Sequence, residues 1–124
     1  MSSRDELFLE RANLLAGGLC GAAGVGLSAA AAHVGGGNLA TVAGFLLAHA
    51  PVFLLLGLSR RGRLMRAGGI GLLIGLLLFC GDLLARHYVG ARLFPMAAPL
   101  GGLMMIAGWL TIAASAFEHR PPEA

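Results

Sequence analysis

Four uninterrupted apolar runs dominate this chain of 124 residues, at about residues 12–32, 39–58, 67–85 and 96–117. Each is close to the roughly 20 residues that a helix needs to cross a hydrocarbon layer about 30 Å thick. Their apolar residues are contiguous rather than spaced as an amphipathic stripe, so the solvent they call for is lipid on every side. Composition agrees: 57% of residues are hydrophobic and only 12% are charged, about half the charged fraction of an ordinary soluble domain. In hydrocarbon a backbone must satisfy its own polar groups, as a helix or a closed barrel, and four spans cannot close a barrel. The expected fold is therefore all-α, a polytopic membrane protein forming one domain over residues 1–124, a four-transmembrane-helix antiparallel bundle.

The links between the runs are short. Val34-Gly35-Gly36-Gly37 forces a hairpin between the first two spans, with Asn38 expected to cap the second. Ser59 to Arg66 joins the second span to the third, and Arg86 to Pro95 joins the third to the fourth. His87, Tyr88, Arg92 and Phe94 in that last link suit a headgroup layer. Pro99 falls in the first turn of the fourth span, where a missing N–H costs little. The tail Glu118-His119-Arg120-Pro121-Pro122 reads as solvated coil.

Charge sets the expected sidedness. The net +3 comes from nine arginines and no lysine, and seven of the arginines (Arg4, Arg11, Arg60, Arg61, Arg63, Arg66, Arg120) share one side with both termini. Only Arg86 and Arg92 fall on the other. An excess of basic residues marks the cytoplasmic face, so both termini are expected there, in a bacterial inner (plasma) membrane. A cleaved leader is the competing reading of the first run, since Ser28 to Ala32 offers small residues to a peptidase. The arginines lie between apolar runs and form no basic face with interleaved aromatics, so nucleic acid is not an expected partner. The lipid bilayer is, together with a homo-oligomer or a larger membrane complex. Cys20 and Cys80 fall at different depths of different spans and read as packed thiols rather than a disulfide.

Twenty glycines exceed what turns require. Gly17 and Gly21 stand four apart on the first span, and Gly18, Ala22, Gly26 and Ala30 form a second small-residue line. Gly68, Gly71 and Gly75 share a face of the third, and Gly101, Gly102 and Gly108 mark the fourth. Small residues at such spacing let helix backbones approach closely. Pro51, midway along the second span, removes one backbone donor and is expected to kink it.

Asp82 is the polar residue that most needs a reason, because a carboxylate within a span is costly unless paired or wetted. Its candidate partners are Arg86, one turn later, and His33, at the outer end of the first span. It reads either as a lock between the first and third helices or as a carboxylate that handles protons. His49, near mid-span, reads as a buried imidazole satisfied by a backbone carbonyl or by Trp109. His33 and His87 lie too far from it in depth to complete a haem site. Ser28, Thr111 and Ser115 can bond to their own helix carbonyls. No catalytic residue, metal site or cofactor is expected, because no nucleophile–base spacing, metal cluster or phosphate loop occurs.

Two stretches carry a resemblance. Phe79-Cys80-Gly81-Asp82-Leu83, then Phe94-Pro95-Met96-Ala97-Ala98-Pro99-Leu100-Gly101-Gly102 and Ala107-Gly108-Trp109, resemble the signature of domain-of-unknown-function family 423. Ala32-His33 and His49-Ala50 are similar to two further landmarks. The family often has serines at the places of Cys80 and Asp82, and a threonine at that of Ala98. The resemblance implies a small four-helix membrane protein without an assigned activity. The functional expectation is an accessory or structural protein, not an enzyme, acting through helix–helix contacts. The alternative is a small oligomeric transporter or proton/ion pathway using Asp82.

Overall fold

The computed structural model describes residues 2–35, 37–59 and 62–119. Gly36, Arg60, Arg61, Arg120, Pro121 and Pro122, which entered the linker, sidedness and tail readings, lie outside those residues. Four α-helices follow one another, α1 (Ser3–Val34), α2 (Gly37–Leu58), α3 (Arg63–Tyr88) and α4 (Ala97–Ala114), and α4 ends in a 3-10 turn, Ser115–Phe117. All four are long and apolar enough to cross a membrane. The chain is thus all-α and multi-pass, as its apolar runs require.

α1 and α3 outrun their apolar runs, and both start on backbone N–H groups that a side chain satisfies. α1 starts well before its run, where the Ser2 hydroxyl accepts from the Asp5 N–H at 3.2 Å and the Asp5 carboxylate accepts from the Ser2 N–H at 3.1 Å. That reciprocal pair satisfies two otherwise orphaned donors. α3 starts at Arg63 with Gly62 as its N-cap, a residue that offers no side-chain acceptor. Glu118 supplies one from the far end of α4: its carboxylate accepts from the Arg63 N–H at 2.8 Å and from the Leu64 N–H at 3.3 Å. The reading of Glu118 as solvated coil is therefore corrected. A negative group at a helix N-terminus meets both bare N–H donors and the positive end of the macrodipole. Asn38 is corrected as well, since α2 already includes Gly37 and Asn38 sits inside the first turn.

Two of the links turn at a glycine. Gly35 ends α1 at φ +65°, and Gly90, at φ +79°, turns the chain after α3. Left-handed backbone is where glycine has no steric penalty. Met96, the residue before α4, also has positive φ (70°), and its carbonyl accepts from the Leu100 N–H at 2.9 Å to open that helix.

Packing runs as two antiparallel hairpins, α1 with α2 and α3 with α4, joined through α2 and α3. Burial follows from that arrangement. In the most apolar stretch of each helix, 44% of residues are buried in α2 and α3 but only 17% in α1 and α4. The central cluster includes Val42, Leu46, Phe53, Leu72, Leu76 and Cys80. Cys20 and Cys80 are both free and buried. α2 continues through Pro51, whose ring is exposed on its outer side.

Glycine decides how close the hairpin partners come. In α3–α4, a Cβ at Gly75 would stand 2.7 Å from the Gly101 carbonyl, and one at Gly101 would stand 2.6 Å from the Phe79 nitrogen. Gly68 and Gly108 meet in the same way, 2.8 Å from a Cβ on Gly68 to the Gly108 carbonyl. Gly71 faces Gly108 at ordinary van der Waals distance, 3.6 Å. Gly17 presses on Leu54 and Ala50 of α2. One expected packing position is corrected: Gly102 has nothing within 4 Å, whereas Gly21 meets the Ala50 methyl at ordinary van der Waals distance, 3.9 Å. The α1–α2 contact follows Gly17 and Gly24, seven residues apart, with Gly57 of α2 meeting the Glu10 carbonyl. Seven residues are close to two helical turns, so these positions share a face that Gly21 lies beside.

Candidate functional site

Among the described residues, only two polar side chains are buried, Asp82 and His49. They occupy separate places in the fold, and neither touches the other.

Asp82 lies in the penultimate turn of α3 and has no exposed surface. A carboxylate there faces the negative end of the helix macrodipole, which disfavours it. Two contacts offset that. The Leu93 N–H, from the loop between α3 and α4, donates to Oδ1 at 2.9 Å. The Arg86 guanidinium, one turn later, brings Nη2 to 2.8 Å from Oδ2. That second contact is an ion pair by distance without hydrogen-bond alignment, and both Oδ2 and the buried Arg86 Nε are otherwise unpartnered among the described residues. The Arg86 side chain is one-third exposed, so the pair opens outward on its arginine side rather than into the core.

The structure thus joins two of the expected site residues and separates the others. Arg86 is Asp82's partner. His33 is not: it is exposed on the last turn of α1, a helix that packs on α2. The expected lock between the first and third helices is corrected to a lock between α3 and the loop that follows it. The reason is the fold-back after Gly90, which returns the chain over α3 and sets a backbone N–H eleven residues on against the carboxylate. A backbone donor carries no side-chain signature, so sequence spacing cannot reveal it.

His49 is 5% exposed, and its two ring nitrogens have complementary partners. The Phe45 carbonyl, 2.8 Å from Nδ1, can only accept. The Trp109 indole N–H, 3.3 Å from Nε2, can only donate. The pair fixes the tautomer: the proton is on Nδ1, and Nε2 accepts. This ties α2 to α4, with the ring centroids of His49 and Trp109 5.7 Å apart. A small apolar recess lined by Phe45, Phe79, Met105 and Ile106 adjoins them.

No group of three or more His, Cys, Asp or Glu side chains that could hold a metal ion occurs among the described residues. The Thr111 hydroxyl donates to the Ala107 carbonyl at 2.7 Å and the Ser115 hydroxyl to the Ile112 carbonyl at 2.5 Å, both within their own helix. Two features escaped the sequence reading. The Ser2–Asp5 cap had a readable signal, an acidic residue three positions after a serine ahead of a periodic run. The Glu118–Arg63 clamp had none, because 55 residues separate its halves.

Comparison with known proteins narrows the family and nothing else. No curated protein and no solved structure matches the chain. A family model described as a protein of unknown function (DUF423) matches residues 20–102. The match takes in α1 from Cys20 onward, all of α2 and α3 with the Asp82–Leu93 knot, and the start of α4 with Gly101 and Gly102. The chain belongs to the DUF423 family.

Proposed function

We propose that this protein is an accessory or structural component of the bacterial inner membrane that acts through helix contacts, with itself or with a larger complex, and has no catalytic activity of its own. Both termini are cytoplasmic in this reading, since seven of nine arginines fall on their side.

One observation supports it above the rest. Among the described residues the buried interior is apolar apart from Asp82 and His49, both with bonded partners in the protein, while α1 leaves much of its surface uncovered. Gly18, Ala22 and Gly26 are exposed in a line along α1, and neither glycine has a neighbour within 4 Å. Small residues at that spacing are the type on which membrane helices associate. The experiment is isolation from native membranes in mild detergent, with the variant Ala22→Leu beside the unaltered chain. A second copy or a stoichiometric partner should co-purify and be lost in the variant. A chain that stays solitary at every detergent level would sink the reading.

A second reading, a small oligomeric transporter or proton/ion pathway, draws on one feature, the buried Asp82 Oδ2. Purified protein in liposomes tests it. A pH-dependent flux abolished by Asp82→Asn would establish this reading and displace the accessory one.

A further inference from the structure

The crevice between the start of α1, the end of α2 and the start of α3 combines charges of both signs with a largely apolar lining. It is a cavity of about 100 Å³, several times the room that one water needs. Glu6, Glu10 and Asn13 line it from α1, Arg66 from α3, and Leu56 and Leu73 form apolar surface beneath. Glu6 and Arg66 form an ion pair at 3.9 Å. Asn13 donates its amide to the Leu9 carbonyl at 2.9 Å, which keeps the amide oxygen as an acceptor. Partly exposed carboxylates and a guanidinium at the end of an apolar span belong at headgroup level. The leucines below them then sit at the top of the acyl region.

We infer that this crevice binds a phospholipid whose headgroup carries a primary ammonium beside its phosphate. The ammonium lies between Glu6 and Glu10, the phosphate on Arg66, and the glycerol and upper acyl chain on Leu56, Ile70 and Leu73. The charge pattern selects this class. A headgroup with phosphate alone would bring its only charge against two carboxylates. A trimethylammonium headgroup has the charge but no N–H for carboxylate or amide oxygen to accept. The inference is independent of the accessory reading, because it needs only the crevice and a bilayer.

The test uses the full-length chain in detergent, offered equal amounts of phosphatidylethanolamine, phosphatidylcholine and phosphatidylglycerol, with bound lipid read by native mass spectrometry. Phosphatidylethanolamine should be retained in preference to both others. The double variant Glu6→Gln, Glu10→Gln should lower its retention about tenfold, the scale of one hydrogen bond to a charged group. Ile70→Trp fills the crevice without removing a charge and should lower it too. Helicity and melting of each variant confirm that it folds, so loss of either one leaves the other to decide. Equal retention of the three lipids, preference for phosphatidylglycerol, or a preference unchanged in the folded variants would each overturn the inference.

Discussion

At the scale of single residues, Asp82 shows how a buried charge is tolerated in a lipid-facing protein. It has one backbone donor, one guanidinium, and a position a turn from the helix end. Asp82→Ala removes the acceptor for Leu93 and leaves the guanidinium without its counter-charge, a loss on the order of 1–3 kcal/mol. Asp82→Asn keeps an oxygen for the Leu93 N–H and should cost less. Thermal unfolding of both variants in one detergent checks the order, and faster hydrogen exchange at the Leu93 amide should accompany the alanine. Sequence made Asp82, Arg86 and His49 visible, because polar side chains in apolar runs stand out. It also made the Trp109 partnership a candidate. It misassigned His33 because depth in the membrane was the only coordinate available. Two residues at one depth need not be neighbours: α1 packs mainly on α2, and it is the loop after α3 that reaches Asp82.

Among the elements, the α3–α4 hairpin depends on backbone contact, while in the α1–α2 hairpin the nearest atoms to Gly17, Gly24 and Gly57 are leucine side chains. At Gly75 and Gly101 the opposing atoms are main-chain and cannot rotate away. Gly101→Ala should therefore destabilise by about 1–3 kcal/mol through overpacking, while Gly102→Ala, with open space around it, should leave stability unchanged. Melting of the two variants side by side tests this, and the neighbouring positions make each the other's control. The Glu118 clamp belongs to the same scale. Glu118→Ala exposes the first N–H groups of α3 and should cost about 1 kcal/mol, as loss of an N-cap does. Faster amide exchange at Arg63 and Leu64, without change in α1, is the specific readout. Helix number and approximate extent were legible, since hydrophobic length is a one-dimensional property. The glycine faces were legible in part: Gly17, Gly68, Gly71, Gly75 and Gly101 face partners, whereas Gly24 and Gly57 went unread. On α1 the reading took the four-residue step from Gly17 to Gly21, whereas the closest contacts recur at seven, from Gly17 to Gly24.

For the whole molecule, contact is dense within each hairpin and thinner between them. The seam joining α2 to α3 is formed by side chains such as Leu56, which lies against Gly69. Residues 1–61 and 62–124, made as separate chains in one cell, should therefore each insert as a helical hairpin and pair with the other. On heating in detergent the two fragments should part before either hairpin loses its helicity. Circular dichroism and size-exclusion chromatography followed in parallel measure the two events. Simultaneous loss would mean that the seam, not the hairpins, organises the molecule.

The capped start of α1 makes that helix 32 residues long, about 48 Å at the helical rise and well over the thickness of the hydrocarbon layer. A rod that long must lean or stand proud of the surface. Its charged first turns are thus carried as a rigid post, and anything fastened to them would be held at a fixed height above the lipid.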